Sequence, residues 1–428
     1  MNFLKVGFLF SASTVSKLVA GLLIVKIIAV SLGADGLGRL GQFMSLISMV
    51  TILAGGGITS GIVKYVAEFK DNKQILNGYL GAASFVTLFA SILVGTVLYL
   101  AAQPLSEWLF KTDEFSGVVR MLALVQFCIA MTNLFMGLVN GHQRVYAFAL
   151  ITLISVAVGS AGVALACFYY GMPGAMYGLM WMSACPILIL MPWYKFGLKF
   201  EWNQIVPKFD RQKVQDFSHF SLMLLVSVLT MQMSQIVVRH IIESNNSWVQ
   251  VGYWQAVSKI SDAYLQFITV VLANYFLPRL AELKLRSAIR KEVELAYRFA
   301  MPALIVMVAV IFICRDWIIF LIFSRDFLPM KEFFTFQLIG DCFKIAAYIG
   351  AYVAVAKANT KAYIVGEILQ SSMLIGLCML FVDQFGAVGA TYAYCLNYII
   401  YFLIVHFVLR AYLNRPDDAA PLSLRGEF

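Results

Sequence analysis

Apolar residues gather into runs of twenty or more along the whole chain, divided by short polar stretches. Twelve such runs fall at approximately 7–32, 40–66, 78–101, 119–140, 146–169, 173–194, 218–241, 250–279, 298–322, 334–356, 362–383 and 388–412. A helix rises about 1.5 Å per residue, so each run is long enough to cross a hydrocarbon core about 30 Å thick. The pattern predicts an all-α integral membrane protein with twelve transmembrane helices.

An even number of crossings puts both termini on one side. Lys and Arg number twenty-one on that side, against Arg39, Lys111, Arg120, Arg315, Arg325 and Lys331 on the other. Cations are retained in cytoplasmic loops, so both termini are expected in the cytoplasm. The longest external connection, Ala102 to Val118, leaves no room for an extracytoplasmic domain.

Three matches in the sequence repeat at half the chain length. Gly171-x-x-Gly174-Ala175-x-Tyr177 returns 215 residues later as Gly386-x-x-Gly389-Ala390-x-Tyr392. Ala67-Glu68-x-Lys70 returns as Ala281-Glu282-x-Lys284, and Gly38 as Gly252, both after 214 residues. Duplicated six-helix lobes account for the common spacing. The expected organisation is an N-lobe over 1–194, a cytoplasmic linker over 195–217 and a C-lobe over 218–413. A tail over 414–428, polar and holding Pro416 and Pro421, is expected to be disordered. Each lobe starts on the same side of the membrane, so the repeats are parallel, related by a pseudo-two-fold axis along the membrane normal. In transporters of that kind the substrate sits between the halves near mid-membrane.

Composition sharpens this picture: 61% of the 428 residues are hydrophobic, 13% are charged, and mean hydropathy is +0.82, which excludes a soluble multidomain protein. The N-terminal run lacks a small-residue cleavage signature and reads as a retained first span. The seven cysteines lie in or at the edges of spans without CxxC spacing and read as packing residues. The net charge of +9 comes from cations scattered over short loops, so topology explains it and no nucleic-acid partner is expected.

Charges inside the spans are the candidate chemistry. Lys17, Lys26, Arg239, Lys259 and Lys344 face three acids, Asp262, Asp341 and Glu367. At about 3 kcal/mol each, eight such groups would cost on the order of 24 kcal/mol against lipid, so they are expected to share a hydrated interior. Lys259 with Asp262, and Asp341 with Lys344, are spaced to pair on one helix face. Lys17, Lys26 and Arg239 then lack local partners, which leaves a cationic cavity. Depth makes Lys17, Asp262 and Lys344 the first candidates. Lys26 and Arg239 lie near the external ends of their spans, where snorkelling competes with a site role. Lys17 and Lys26 are nine residues apart and face one cavity only if the first span bends, for which Gly21 offers a position.

Gly55, Gly56 and Gly57 interrupt the second run, either for tight packing or as a hinge. Tyr253, Trp254, Tyr264, Phe267, Tyr275 and Phe276 along the eighth span are packing groups or a lining for sugars. No nucleotide-binding loop, zinc spacing or catalytic triad is recognisable, so no enzyme, cofactor or metal is expected. Transport would draw on a gradient or on consumption of the substrate beyond the membrane. If protons are coupled, Asp262, Asp341 and Glu367 are the available carriers.

Two stretches, Gly61-Ile62-Val63-Lys64-Tyr65-Val66-Ala67 and Gly252-Tyr253-Trp254-Gln255-Ala256-Val257-Ser258 on through Ile268, carry a family likeness. They resemble the Wzx-type flippases of the polysaccharide transporter family, in the multidrug/oligosaccharidyl-lipid/polysaccharide (MOP, MATE-like) superfamily. Within them the likeness is to translocases of enterobacterial common antigen and O-antigen units, and it runs to about Leu413. The resemblance implies two lobes around a central cavity in a bacterial inner membrane. It implies an oligosaccharide on undecaprenyl pyrophosphate as substrate, moved to the periplasmic leaflet, with membrane lipids, a polysaccharide polymerase and a chain-length regulator as partners. A pyrophosphate would suit Lys17, Lys26, Arg239, Lys259 and Lys344.

Three rivals make different demands. A multidrug exporter of the same superfamily would need an acidic cavity for cationic drugs, a polymerase or ligase a catalytic external loop, and a lipid II flippase two further helices.

Overall fold

In a computed structural model of the protein, the described residues are 3–197, 205–357 and 360–414. Most of the tail, and residues 198–204 of the expected linker, lie outside them, together with Lys199, Arg415 and Arg425. Among the described residues there are helices and turns and no strand. In lipid no water can satisfy a backbone N–H or C=O, so a spanning segment must bond within itself as a helix.

The helices are α1 (Phe3–Ala54), α2 (Thr59–Phe69), α3 (Lys73–Leu100), α4 (Ala102–Phe110), α5 (Ser116–Gly141), α6 (Val145–Ala184), α7 (Pro186–Gly197) and α8 (Arg211–Asn245). They continue as α9 (Trp248–Val271), α10 (Leu277–Glu282), α11 (Arg286–Ile313), α12 (Arg315–Ile322), α13 (Lys331–Ala356), α14 (Thr360–Phe385) and α15 (Gly389–Leu413). Nine continuous helical stretches among the described residues are long and apolar enough to cross a membrane. Three of them, of 40, 48 and 51 residues, are too long for one crossing. Each contains a glycine with left-handed backbone: Gly33 (φ 67°), Gly171 (φ 60°) and Gly386 (φ 65°). Counting each of the three as two crossings gives the twelve expected.

Gly171 and Gly386 are partners in the sequence repeat, and the structure gives the repeated motif a physical reason. The first glycine takes a conformation that L side chains rarely adopt. The second, Gly174 or Gly389, returns so close to the helix just left that a Cβ would collide with a carbonyl oxygen, that of Ala166 or Phe381. Each collision is with the residue eight positions earlier. Both copies thus turn the chain back by the same means.

The Gly55–Gly57 run ends α1. Gly56 and Gly57 both have φ 67°, and their N–H groups reach Leu53 O and Ile52 O at 3.0 Å each, the two bonds of a Schellman cap. The Ser221 hydroxyl donates to Gly56 O, so the turn is held from α8 as well.

The chain divides into two compact units. The first comprises the chain to Leu32 together with Arg39–Met233, and the second Gly33–Gly38 together with the chain from Ser234 onward. The first is centred on Ile62, Leu80, Phe135, Leu138, Leu190 and Phe217. In the second, α13 and α15 pack closely through glycines: Gly340 lies against Tyr394 and Gly350 against Val405. There too the helical segment Ala34–Gly38, just after Gly33, crosses α9 in backbone contact, where a Cβ on Gly38 would lie 2.7 Å from Trp248 O and one on Gly252 would meet Ala34 O.

Candidate functional site

Lys17 lines a cavity of about 390 Å³ inside the first unit, walled by α1, α2, α5, α6 and α7. Two polar stripes at helical spacing face it. Thr132, Asn133 and Asn140 come from α5, and Thr152 and Ser155 from α6, with Thr59 from α2 beside them. No carboxylate is among the lining residues. The Lys17 ammonium stands 6.0 Å from the centre of the Phe148 ring and, among the described residues, has no carboxylate partner. Thr132 is spent on its own helix, donating to Cys128 O at 2.9 Å. Asn133 donates to Thr51 O at 3.4 Å, which leaves its carbonyl oxygen. The Thr152 and Ser155 hydroxyl oxygens are buried away from the cavity surface and have no hydrogen-bond partner among the described residues.

Lys26 is not among the lining residues of this cavity. Helix α1 runs unbroken from Lys17 through Gly21 to Lys26, and its non-helical residue is Gly33. Nine residues of straight helix place the two lysines on opposite faces.

The remaining charges lie in the second unit, each engaged with neighbours. The Arg239 side chain is buried; its Nε donates to Gln255 Oε1 at 2.9 Å and its guanidinium stands 5.6 Å from the Trp254 ring. Lys259 and Asp262 pair within one turn of α9 at 3.8 Å, both partly exposed. Asp341, wholly buried on α13, accepts hydrogen bonds from the hydroxyls of Tyr264, on α9, and Tyr394, on α15, the latter at 2.7 Å. Lys344, one turn along, sits among the rings of Tyr398, Tyr394 and Tyr348 at 5.6, 5.8 and 6.0 Å, within electrostatic reach of Asp262 and Asp341. Glu367 on α14 pairs with Tyr363 one turn away.

The geometry therefore sorts the charged groups. Arg239, Asp341 and Lys344 are held in a polar and aromatic frame, whereas Lys17 faces open space with neutral hydrogen-bonding groups around it. Sequence reasoning did not find Asn133, Asn140, Thr152 and Ser155. Their signal was present: polar residues seven apart on α5 and three apart on α6, in otherwise apolar runs.

This architecture is shared with solved transporters. An inward-facing multidrug-resistance MATE transporter of the MOP superfamily superposes with a TM-score of 0.71 at 14% identity, over 93% of this chain and 95% of that one. The lipid II flippase MurJ, in an inward closed conformation, gives 0.70 at 15% identity, over 94% and 87%. The fold is thus that of the MOP-superfamily membrane transporters. In sequence, residues 27–332 match the family model described as polysaccharide biosynthesis protein, and the chain belongs to that family. Proteins named lipid III flippase from Escherichia coli (strain K12) and Shigella flexneri are each 36% identical to it over 405 residues, 94% of this chain and 97% of theirs.

Proposed function

We propose that the chain is a flippase for an oligosaccharide carried on undecaprenyl pyrophosphate, an O-antigen or enterobacterial common antigen unit. It carries the unit from the cytoplasmic to the periplasmic leaflet of a bacterial inner membrane. Both termini are cytoplasmic, as the distribution of Lys and Arg supports, and the two halves alternate access to the substrate while its lipid tail stays in the bilayer. The protein catalyses no reaction. A polymerase and a chain-length regulator would take up the product.

The observation that carries this reading is the Lys17 cavity, with one cation, several neutral hydrogen-bonding groups and no acid among its lining residues. Such a site favours a phosphorylated, hydroxyl-rich head group. It is a poor host for a cationic drug, the substrate that the multidrug reading would need. The similarity to proteins named lipid III flippase supports the same assignment.

The test is deletion of the gene, followed by identification of the undecaprenyl-linked saccharide that accumulates on the cytoplasmic side and its clearance when the gene is returned. Drug sensitivity with no accumulated lipid-linked sugar would refute the proposal in favour of an exporter.

A further inference from the structure

The two copies of the repeat treat one helix face differently. Helices α3 and α11 are both 28 residues long; α3 and α11 begin 213 residues apart, at 73 and 286, as do α4 and α12, at 102 and 315. That spacing is within two residues of the sequence matches, so α3 and α11 are the same element of the repeat. On α3 the stripe Gly78, Gly81, Phe85 is covered by the chain entering α8. A Cβ on Gly78 would lie 2.7 Å from the Lys213 ammonium, Lys208 N donates to Gly81 O at 3.0 Å, and the Phe85 and Phe209 ring centres are 5.2 Å apart. The same displacement carries this stripe onto Lys291, Glu294 and Arg298 of α11, all of them exposed. The face that is covered in one copy is bare and charged in the other.

Lys284 is exposed just before α11 begins. Lys284, Lys291 and Arg298 have no carboxylate partner among the described residues, although Glu294 lies within one turn of two of them. Their neighbours are engaged: Arg279 pairs with Glu282 and Glu292, and Arg290 donates to Asn414 Oδ1 at 2.6 Å. Leu295 and Phe299 flank the same stripe and are 45% and 68% exposed. Large apolar groups alternating with unpaired cations suit the boundary between hydrocarbon and water. The length of α11 puts them there. Its 28 residues rise about 42 Å, roughly 12 Å more than a hydrocarbon core, so about eight residues stand in the head-group layer. The apolar run starts near 298, so the excess falls at the start of the helix, around Lys291.

We propose that this stripe of α11 binds an anionic phospholipid: Lys284, Lys291 and Arg298 draw its phosphate and head group, and its acyl chain lies along Leu295 and Phe299. Three cations against the single Glu294 set the preference for an anionic over a zwitterionic head group. On the topology proposed above, the lipid belongs to the cytoplasmic leaflet. It covers α11 where the chain entering α8 covers α3. The site is separate from the Lys17 cavity and does not depend on what the transporter carries.

The test places the purified full chain in phosphatidylcholine nanodiscs containing a small share of phosphatidylglycerol with a photoreactive acyl chain, and maps the adducts by mass spectrometry. Each basic side chain near an anionic surface strengthens binding about fivefold. Residues 284–299 should therefore carry at least five times the adduct of the matched segment 73–86, and at least five times that left by a phosphatidylcholine probe. Lys291→Gln with Arg298→Gln brings labelling of 284–299 down to the level of 73–86, at an unchanged melting temperature in neutral detergent. Glu294→Gln raises it, which a purely structural role for these exposed groups does not predict. If the double variant fails to fold, Glu294→Gln and the phosphatidylcholine probe decide alone. Equal labelling of the two segments, equal labelling by the two lipids, or wild-type labelling of a folded double variant overturns the proposal. A chain ending at Asn414 should label as the full chain does; severalfold stronger labelling would make the tail the occupant of this face and overturn the lipid site.

Discussion

Replacing Asp341 by leucine tests whether the second unit is organised around a buried carboxylate. The side chain is 0% exposed and accepts from two tyrosine hydroxyls contributed by different helices, with Lys344 one turn away. Leucine fills similar space but leaves both hydroxyls without an acceptor, at about 1–3 kcal/mol each if they stay buried. It also removes one of two carboxylates near Lys344, and breaking a buried charge pair costs about 3–5 kcal/mol. Asp262 remains within reach of Lys344, so the lower end of that range applies, and with the hydroxyls also at their lower end the total comes to roughly 5 kcal/mol. For a unit of this size about 2–4 °C of melting temperature is lost per kcal/mol, so the midpoint should fall by about 10–20 °C. Thermal unfolding of the protein purified in detergent, followed by loss of the monodisperse peak on size exclusion, reads this directly. Tyr264→Phe and Tyr394→Phe should each lose about 1.5–3 kcal/mol, the worth of one hydrogen bond to a charged group. Asp341→Leu combined with Lys344→Met should recover much of the loss, because removing both members of a buried pair spares the survivor. A midpoint within 2 °C of wild type for Asp341→Leu, or a double variant less stable than the single, would refute the reasoning.

Gly252→Ala aims a methyl group at the Ala34 carbonyl oxygen, backbone that cannot rotate away, so it should lower both folded yield and melting temperature, whereas Gly376→Ala, with nothing within 4 Å, should be neutral or gain up to about 1 kcal/mol from helix propensity. Equal behaviour of the two alanines on a thermal scan would contradict the close crossing. Asp210 begins α8, accepting from the Gln212 and Lys213 N–H groups at 3.1 and 3.3 Å, and the Lys213 ammonium holds its carboxyl below the ordinary 3.8. A depressed folded value means that the carboxylate supports the helix start above the ordinary value and loses that support as pH falls from about 3.8 through the folded one. Hydrogen exchange at residues 211–214, corrected for intrinsic rates, should therefore quicken across that acid window in the wild type and already be fast at neutral pH in Asp210→Ala.

The fold was legible because lipid imposes one rule on every crossing, and the apolar runs record it. The turn positions were legible where glycines cluster or repeat: the Gly55–Gly57 run marked itself and Gly171 and Gly386 stood out as a pair, whereas Gly33, also left-handed at φ 67°, has no matched copy to mark it. Among the charges, spacing reports partners within a turn and nothing else. It anticipated Lys259 with Asp262, which stand 3.8 Å apart, and it suggested that Asp341 would be answered by Lys344. The carboxylate is instead bonded by Tyr264 and Tyr394, 77 and 53 residues away, and the rings of Tyr348, Tyr394 and Tyr398 surround the lysine. Arg239 likewise found Gln255 and Trp254 on the next helix, groups that a census of charges does not count. Neutral side chains thus decide which buried cations are bound into the framework, and tertiary packing alone reveals them. Lys17 differs from the others because the side chains that line its cavity carry hydroxyls and amides and no carboxylate. Its position on the wall of that cavity, and not its spacing from any acid, is what singles Lys17 out for the head-group role proposed above.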